Sequence, residues 1–233
     1  MRILVTRPEL SAVRTGERLR ALGHEPILLP LFEAEHDPQG VVQARASQHA
    51  EAILATSAEA IRAIGNGGDF GNRPLFAVGA KTAKAAQEAG FDMVETAEGD
   101  GAVLADLLRK RFPGEQKPAL LYLAGEPRSP RLEQELAAAR FPIEVAVCYR
   151  MRPVDLTGVS LQAVFQQHPE TVLLYSGETA RRFFEVAEPF VHENPGIKIL
   201  CLSPAVAKAV PPAMKSRTKC ALRPDEASLF ELL

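Results

Sequence analysis

Short apolar runs alternate with helix-spaced stretches along the whole chain. Ile3–Thr6 reads as a strand, and Pro8 then opens a helix, a first-turn position that proline tolerates. Leu10, Val13, Leu19 and Leu22 recur on one face of that helix until Gly23 ends it. Strands follow at Ile27–Phe32 and Ala52–Ala55, the second running into the helix-capping pair Thr56-Ser57. Leu75–Val78 leads through Gly79 into a helix that Gly90 closes, and Phe91–Val94 is a weaker strand. Val103, Leu104, Leu107 and Leu108 place a helix over residues 101–110. Strands alternating with helices of this length predict βαβ units and largely parallel sheets.

The second half repeats the pattern of the first. Ala119–Leu123 and the helix carrying Leu132, Leu136 and Ala139 correspond to the opening strand and helix, and Ile143–Tyr149 corresponds to Ile27–Phe32. Val172–Tyr175 with Ser176, then Ile197–Leu202 with Ser203-Pro204, follow the order of Ile53–Ser57 and Leu75–Gly79. The offset drifts over about 117 to 124 residues, a repeat of pattern and not of identity. Between Leu31 and Pro38, and between Tyr149 and Leu156, strand runs end in mixed polar residues and a proline. If the chain crosses between domains at both places, residues 1–33 and 153–233 form one α/β domain and 37–149 the other, with linkers at 34–36 and 150–152.

Composition narrows the function. The 233 residues are 46% hydrophobic and 24% charged, ordinary for a soluble globular protein. Lys and Arg number 27 against 29 Asp and Glu, a formal charge of −2 that gives nucleic acid or an anionic membrane surface no bulk attraction. No apolar run approaches the roughly 20 residues of a spanning helix, and MRILVTRP lacks the apolar core of a signal peptide. Cys148, Cys201 and Cys220 are scattered, which fits a reduced, cytoplasmic protein. Cys148, inside a strand pattern, reads as a small core residue.

Negative evidence excludes several chemistries. There is no GxxxxGK[ST], no GxGxxG after a strand, no GxSxG, and no metal-ligand spacing among the five histidines. What remains is a set of strand-to-helix turns. Four carry small residues: Thr56-Ser57-Ala58, Gly79-Ala80-Lys81-Thr82, Ser176-Gly177-Glu178-Thr179 and Ser203-Pro204-Ala205. Two more, Thr6-Arg7-Pro8 and Gly125-Glu126-Pro127-Arg128, carry Arg7 and Arg128. In open parallel sheets ligands bind beyond the carboxyl ends of strands, where helix N-termini offer free N–H groups to anions. Arginine outnumbers lysine 19 to 8, and its fork suits carboxylates. Arg181 and Arg182 read as a solvated helix face. The inventory suits a large polyanion. Each turn taken alone is equally a plain helix cap, and a non-catalytic or regulatory two-domain anion binder would use the same turns.

The order of motifs resembles the uroporphyrinogen-III synthase family along essentially the whole chain. The matching pieces are Val5-Thr6-Arg7-Pro8, Leu22-Gly23 before Leu29-Pro30, Ala55-Thr56-Ser57 and Ala77-Val78-Gly79 with Lys81-Thr82-Ala83. Cys148-Tyr149-Arg150, Tyr175-Ser176-Gly177 and Leu202-Ser203-Pro204 with Ala207 complete them. The resemblance implies two flavodoxin-like domains on a two-stranded linker, an active cleft between them, a cytoplasmic monomer and no metal or organic cofactor. It implies a lyase of heme biosynthesis. The substrate would be hydroxymethylbilane, an octacarboxylate handed over from hydroxymethylbilane synthase, and the product uroporphyrinogen III, formed with loss of water and inversion of the last ring. Tyr149 matches the tyrosine the family carries at this strand end and would assist hydroxyl departure. Strict alternation would put it on one face with Ile143, Val145 and Val147. Ser57, Thr82 and Ser176 match cleft positions and would bind carboxylates; Ala58, Gly79, Lys81, Gly177, Ser203 and Pro204 share their turns. The chain departs from the family at Val206, which stands where a hydroxyl is often found and cannot donate a hydrogen bond.

Overall fold

Ala52–Ala55 and Thr171–Leu174 are buried at every residue, as strands covered on both faces by helices must be. The computed structural model describes residues 1–233. The chain opens with β1 (Arg2–Val5), α1 (Glu9–Ala21), β2 (Glu25–Leu28) and β3 (Phe32–His36). Next come α2 (Pro38–Ala46), β4 (Ala52–Ala55), α3 (Ala58–Ile64), β5 (Leu75–Val78), α4 (Ala80–Glu88), β6 (Val94–Ala97) and α5 (Gly101–Arg111). Then follow β7 (Leu120–Glu126), α6 (Arg131–Ala138), β8 (Ile143–Pro153), α7 (Gly158–Phe165), β9 (Thr171–Leu174) and α8 (Gly177–Glu193). The chain closes with β10 (Lys198–Cys201), α9 (Pro204–Ala207), β11 (Thr218–Cys220) and α10 (Glu226–Phe230). No helix is long and apolar enough to cross a membrane.

The chain divides into two compact units, Met1–Glu33 with Arg152–Leu233, and Ala34–Met151. Segments 34–36 and 150–152, expected as linkers, are strand: they continue β3 and β8. The first unit holds a five-stranded sheet in the order β11-β10-β9-β1-β2, all of whose neighbours pair in parallel. The second holds β3-β8-β7-β4-β5-β6, parallel from β8 to β6. Each sheet draws strands from both halves of the sequence repeat: β1 and β2 with β9, β10 and β11 in the first, and β3, β4, β5 and β6 with β7 and β8 in the second. Strands Ile3–Thr6 and Ala119–Leu123 accordingly fall in different sheets.

In each sheet, alternate residues enter opposite cores. Leu4, Val172, Leu174 and Ile199 face one layer of the first unit, and Ile3, Val5, Leu173 and Leu200 the other. In the second unit Ile53, Ala55, Leu121 and Leu123 face one layer, and Ala52, Leu54, Leu120 and Tyr122 the other.

Helix α1 corrects the sequence reading. Only Leu19 of its four large apolar residues is buried; Leu10 and Leu22 are each 57% exposed. The buried face is Ala12, Thr15, Gly16 and Leu19, because the helix lies close on β2, where a Cβ on Gly16 would already touch Pro26 at 3.4 Å. Helix α2 is absent from the sequence reading. Its signal is Asp37-Pro38: the Asp37 carboxylate caps Gln39 N at 3.0 Å and proline fills the first turn.

Candidate functional site

Because β8, β7, β4 and β5 run parallel, their carboxyl ends share one edge of the second unit's sheet. That edge carries Tyr149, the segment Gly125–Arg128, the turn Thr56-Ser57, and Gly79. A cavity of about 240 Å³ opens there, lined by Thr56, Ser57, Tyr122, Gly125, Arg128 and Tyr149 and by the starts of α5 and α6 at Gly101 and Arg131. The Asp100 side chain caps α5 through Ala102 N at 2.9 Å and pairs with Arg131 at 3.0 Å, so one carboxylate fixes both helix starts. Arg128 donates to Glu133 at 2.7 Å; that bond raises its pKa and keeps the cation in place on the cavity wall.

Two tyrosines reach this cavity. The Tyr122 ring is buried and its hydroxyl pairs with Thr56 Oγ1 at 2.8 Å, meeting the general need of a buried phenol for a partner. Tyr149 arrives differently from the expectation. A β-bulge in β8 shifts the register from Ala124↔Val147 to Gly125↔Tyr149. Tyr149 therefore packs on the same core as Ala146 and Cys148, and not on the side of Ile143 and Val145. Burial raises the pKa of its hydroxyl, and interaction with Ser57 offsets this only in part. Tyr122 is likewise raised by burial. Both phenols remain protonated near neutral pH, the state in which they can donate. Cys148 beside them is fully buried and its thiol is pushed up to about 12 by burial, which makes it a core residue.

Ser57 belongs to the cavity wall, while Ala58, Gly79, Lys81 and Thr82 lie on the same edge outside it. Ser57 caps α3, accepting from Glu59 N at 3.1 Å, and Ala58 is the first residue of that helix. Gly79 precedes α4 with φ +76, a conformation that suits glycine. Lys81 is exposed and Thr82 is buried at the start of α4.

The first unit has its own carboxyl edge. Ser176 caps α8 through Thr179 N at 3.0 Å, with Gly177 beginning the helix. Ser203 caps the four-residue helix α9, whose first residue is Pro204. Val206 is buried in the core, which accounts for an apolar side chain where the family often has a hydroxyl. Arg7 stands at the end of β1 but is engaged internally: it pairs with Glu226 at 3.0 Å and stacks over the Tyr175 ring at 4.3 Å. Arg181 is exposed, whereas Arg182, expected on a solvated face, donates to Val154 O at 3.2 Å.

Glu226 was not singled out in the sequence. Its carboxylate also accepts from Thr15 Oγ1 at 2.6 Å and Tyr175 Oη at 2.8 Å, and it pairs with Arg18. Burial pushes its pKa up, but these donors outweigh burial and the net shift is downward. A depressed carboxylate pKa contributes stability that is present above the unfolded value and lost as pH falls through the folded one. Glu226→Gln is therefore expected to cost about 1.5–3 kcal/mol at pH 7, the range for hydrogen bonds to charged groups. The difference from wild type should shrink as pH falls below the ordinary glutamate value of 4.5. Denaturant titrations at pH 7 and well below pH 4.5 measure it; an equal gap at both would remove Glu226 as the source.

Tyr122, Gly125 and Arg131 also line the cavity without having been read as site residues. The one signal for Tyr122 was a phenol inside an otherwise apolar strand.

Comparison with known proteins fits this geometry. Residues 13–231 match the family model described as "Uroporphyrinogen-III synthase HemD". Uroporphyrinogen-III synthetase from Helicobacter pylori 26695 superposes with a TM-score of 0.66 at 17% identity, over 100% of this chain and 98% of that one. A mutant uroporphyrinogen III synthase from the extremely thermophilic bacterium Thermus thermophilus gives 0.55 at 19% identity, over 90% and 87%. At these identities the two structures speak for the fold. No curated protein matches the chain significantly in sequence. The family model covers nearly all of the chain, and on that ground the chain belongs to the uroporphyrinogen-III synthase family.

Proposed function

We propose that this protein acts as a lyase that closes hydroxymethylbilane to uroporphyrinogen III, with loss of water and inversion of the last ring. The observation that carries the reading is the convergence of the neutral Tyr149 hydroxyl, Ser57 and Arg128 on one strand-end cavity, in a chain matched to this family over residues 13–231.

The cavity's roughly 240 Å³ lies below the roughly 300–1,000 Å³ of a site that engulfs a drug-sized ligand. It suits one end of the bilane, a terminal pyrrole with its acetate and propionate. Arg128, held on the cavity wall, faces those carboxylates. Tyr149 passes its hydroxyl proton to the departing oxygen as the C–O bond breaks, so that water leaves an azafulvenium cation; the ring carbon that attacks this cation then loses a proton, which restores the phenol. Other carboxylates meet the neighbouring turns of the same unit at Ser57-Ala58 and Gly79-Lys81-Thr82. The bilane is already activated, and positioning alone supplies about 7–11 kcal/mol in favourable cases. A site of backbone donors, one phenol and no strong nucleophile is adequate to that task. The experiment that tests the reading is turnover of freshly generated hydroxymethylbilane with the product isomers resolved.

A further inference from the structure

Gly125 has no local reason to be glycine. It lies within β7, and its backbone is outside the left-handed region that only glycine enters readily. The nearest obstacle to a side chain is Tyr149. A Cβ on Gly125 would stand 2.1 Å from Tyr149 Cζ, 2.4 Å from Cε1 and 2.5 Å from the hydroxyl oxygen. Those are overlaps, not contacts. The phenol lies against the bare backbone of β7, opposite Gly125 in register, and the bulge in β8 is what brings it there. Without the bulge Cys148 would face Gly125, and Tyr149 would turn to the other face of the sheet.

We infer that Gly125 is a positioning residue: by leaving the surface of β7 bare where the bulge sets Tyr149 down, it holds the phenol hydroxyl in the cavity beside Ser57. The inference rests on the role proposed for Tyr149, but the placement can be read independently of that role. The chain has three tyrosines and no tryptophan, so tyrosine labelled at the ring carbon bearing the hydroxyl gives three carbon signals, each assignable by single substitution to Phe.

In Gly125→Ala the Tyr149 signal should move while the Tyr175 signal, in the other unit, stays. Turnover should fall by on the order of 10²-fold, the cost of misplacing a reacting group by about 1 Å. Tyr149→Leu removes the atoms that overlap, so Gly125→Ala placed on that background should lower turnover no further. It should also restore folding if Gly125→Ala alone folds poorly. An unmoved Tyr149 signal, or normal turnover in Gly125→Ala, overturns the inference. So does a further loss of turnover or persistent misfolding in the double variant. A fully active, folded Tyr149→Phe protein would instead overturn the role of Tyr149, and a shifted signal in Gly125→Ala would still show which residue places it.

Discussion

Replacing Tyr149 by Phe is expected to lower turnover by roughly 10–10⁴-fold, a range widened downward from that for a single general acid. The substitution removes one oxygen and keeps the ring that packs on Ala146 and Cys148, so thermal stability should change little. Product affinity should also hold, since carboxylates are met by backbone N–H groups and arginine. Isomer identity should persist in what the variant makes, because ring inversion depends on how the whole bilane is held. Burial raises the hydroxyl's pKa above its ordinary 10, so any alkaline loss of rate that comes from Tyr149 should set in at higher pH than for an ordinary phenol. Turnover, product affinity and melting temperature measured on one preparation decide the matter. Full activity in a normally folded Tyr149→Phe protein would leave positioning by backbone donors as the whole mechanism.

The largest expected loss of stability is at Gly40. Helix α2 lies directly on the backbone of β8, with Asp37 N donating to Cys148 O at 2.8 Å. A Cβ on Gly40 would stand 1.7 Å from the Val147 carbonyl oxygen and 2.6 Å from its carbon. Both are backbone atoms of a sheet strand, so no rotamer change relieves the overlap. Helix and strand must separate, which breaks the Asp37–Cys148 bond and disturbs Ser47 Oγ, which donates to Glu144 at 2.6 Å. Gly40→Ala is expected to cost about 3 kcal/mol or more, at or beyond the upper end for overpacked cores. At roughly 2–4 °C per kcal/mol for chains of this size, the melting temperature falls by roughly 6–12 °C. Calorimetry checks this, and an unchanged melting temperature would mean that α2 does not rest on β8. Val147 lies two residues from Tyr149, so activity should fall as well.

The legible and illegible parts of this molecule differ in kind. The strands Ala52–Ala55 and Leu75–Val78 agree with the sequence reading to the residue, because a four-residue apolar run between turn signals has one good use in a parallel sheet. The helix-capping roles of Ser57, Ser176 and Ser203 were legible for the same local reason. Features set by close approach were not. Helix α2 was hidden because its closeness to β8 comes from a glycine and not from an apolar stripe. The face of Tyr149 was misread because a bulge defeats period-two counting, and nothing in Val147-Cys148-Tyr149 announces one. Glu226 was invisible because its partners Arg7, Thr15 and Tyr175 are far away in sequence, brought together only by the sheet order.

The central claim is that this chain closes hydroxymethylbilane to the inverted isomer. Freshly generated hydroxymethylbilane closes by itself to the type I ring, so the uncatalysed reaction is its own control. Purified protein is incubated with it, the product is oxidised to porphyrin, and the isomers are separated and counted against a protein-free sample. The account predicts that type III dominates and that the bilane disappears faster than in the control. Type I product at the control rate would contradict it and leave a two-domain binder of anions in place of the enzyme.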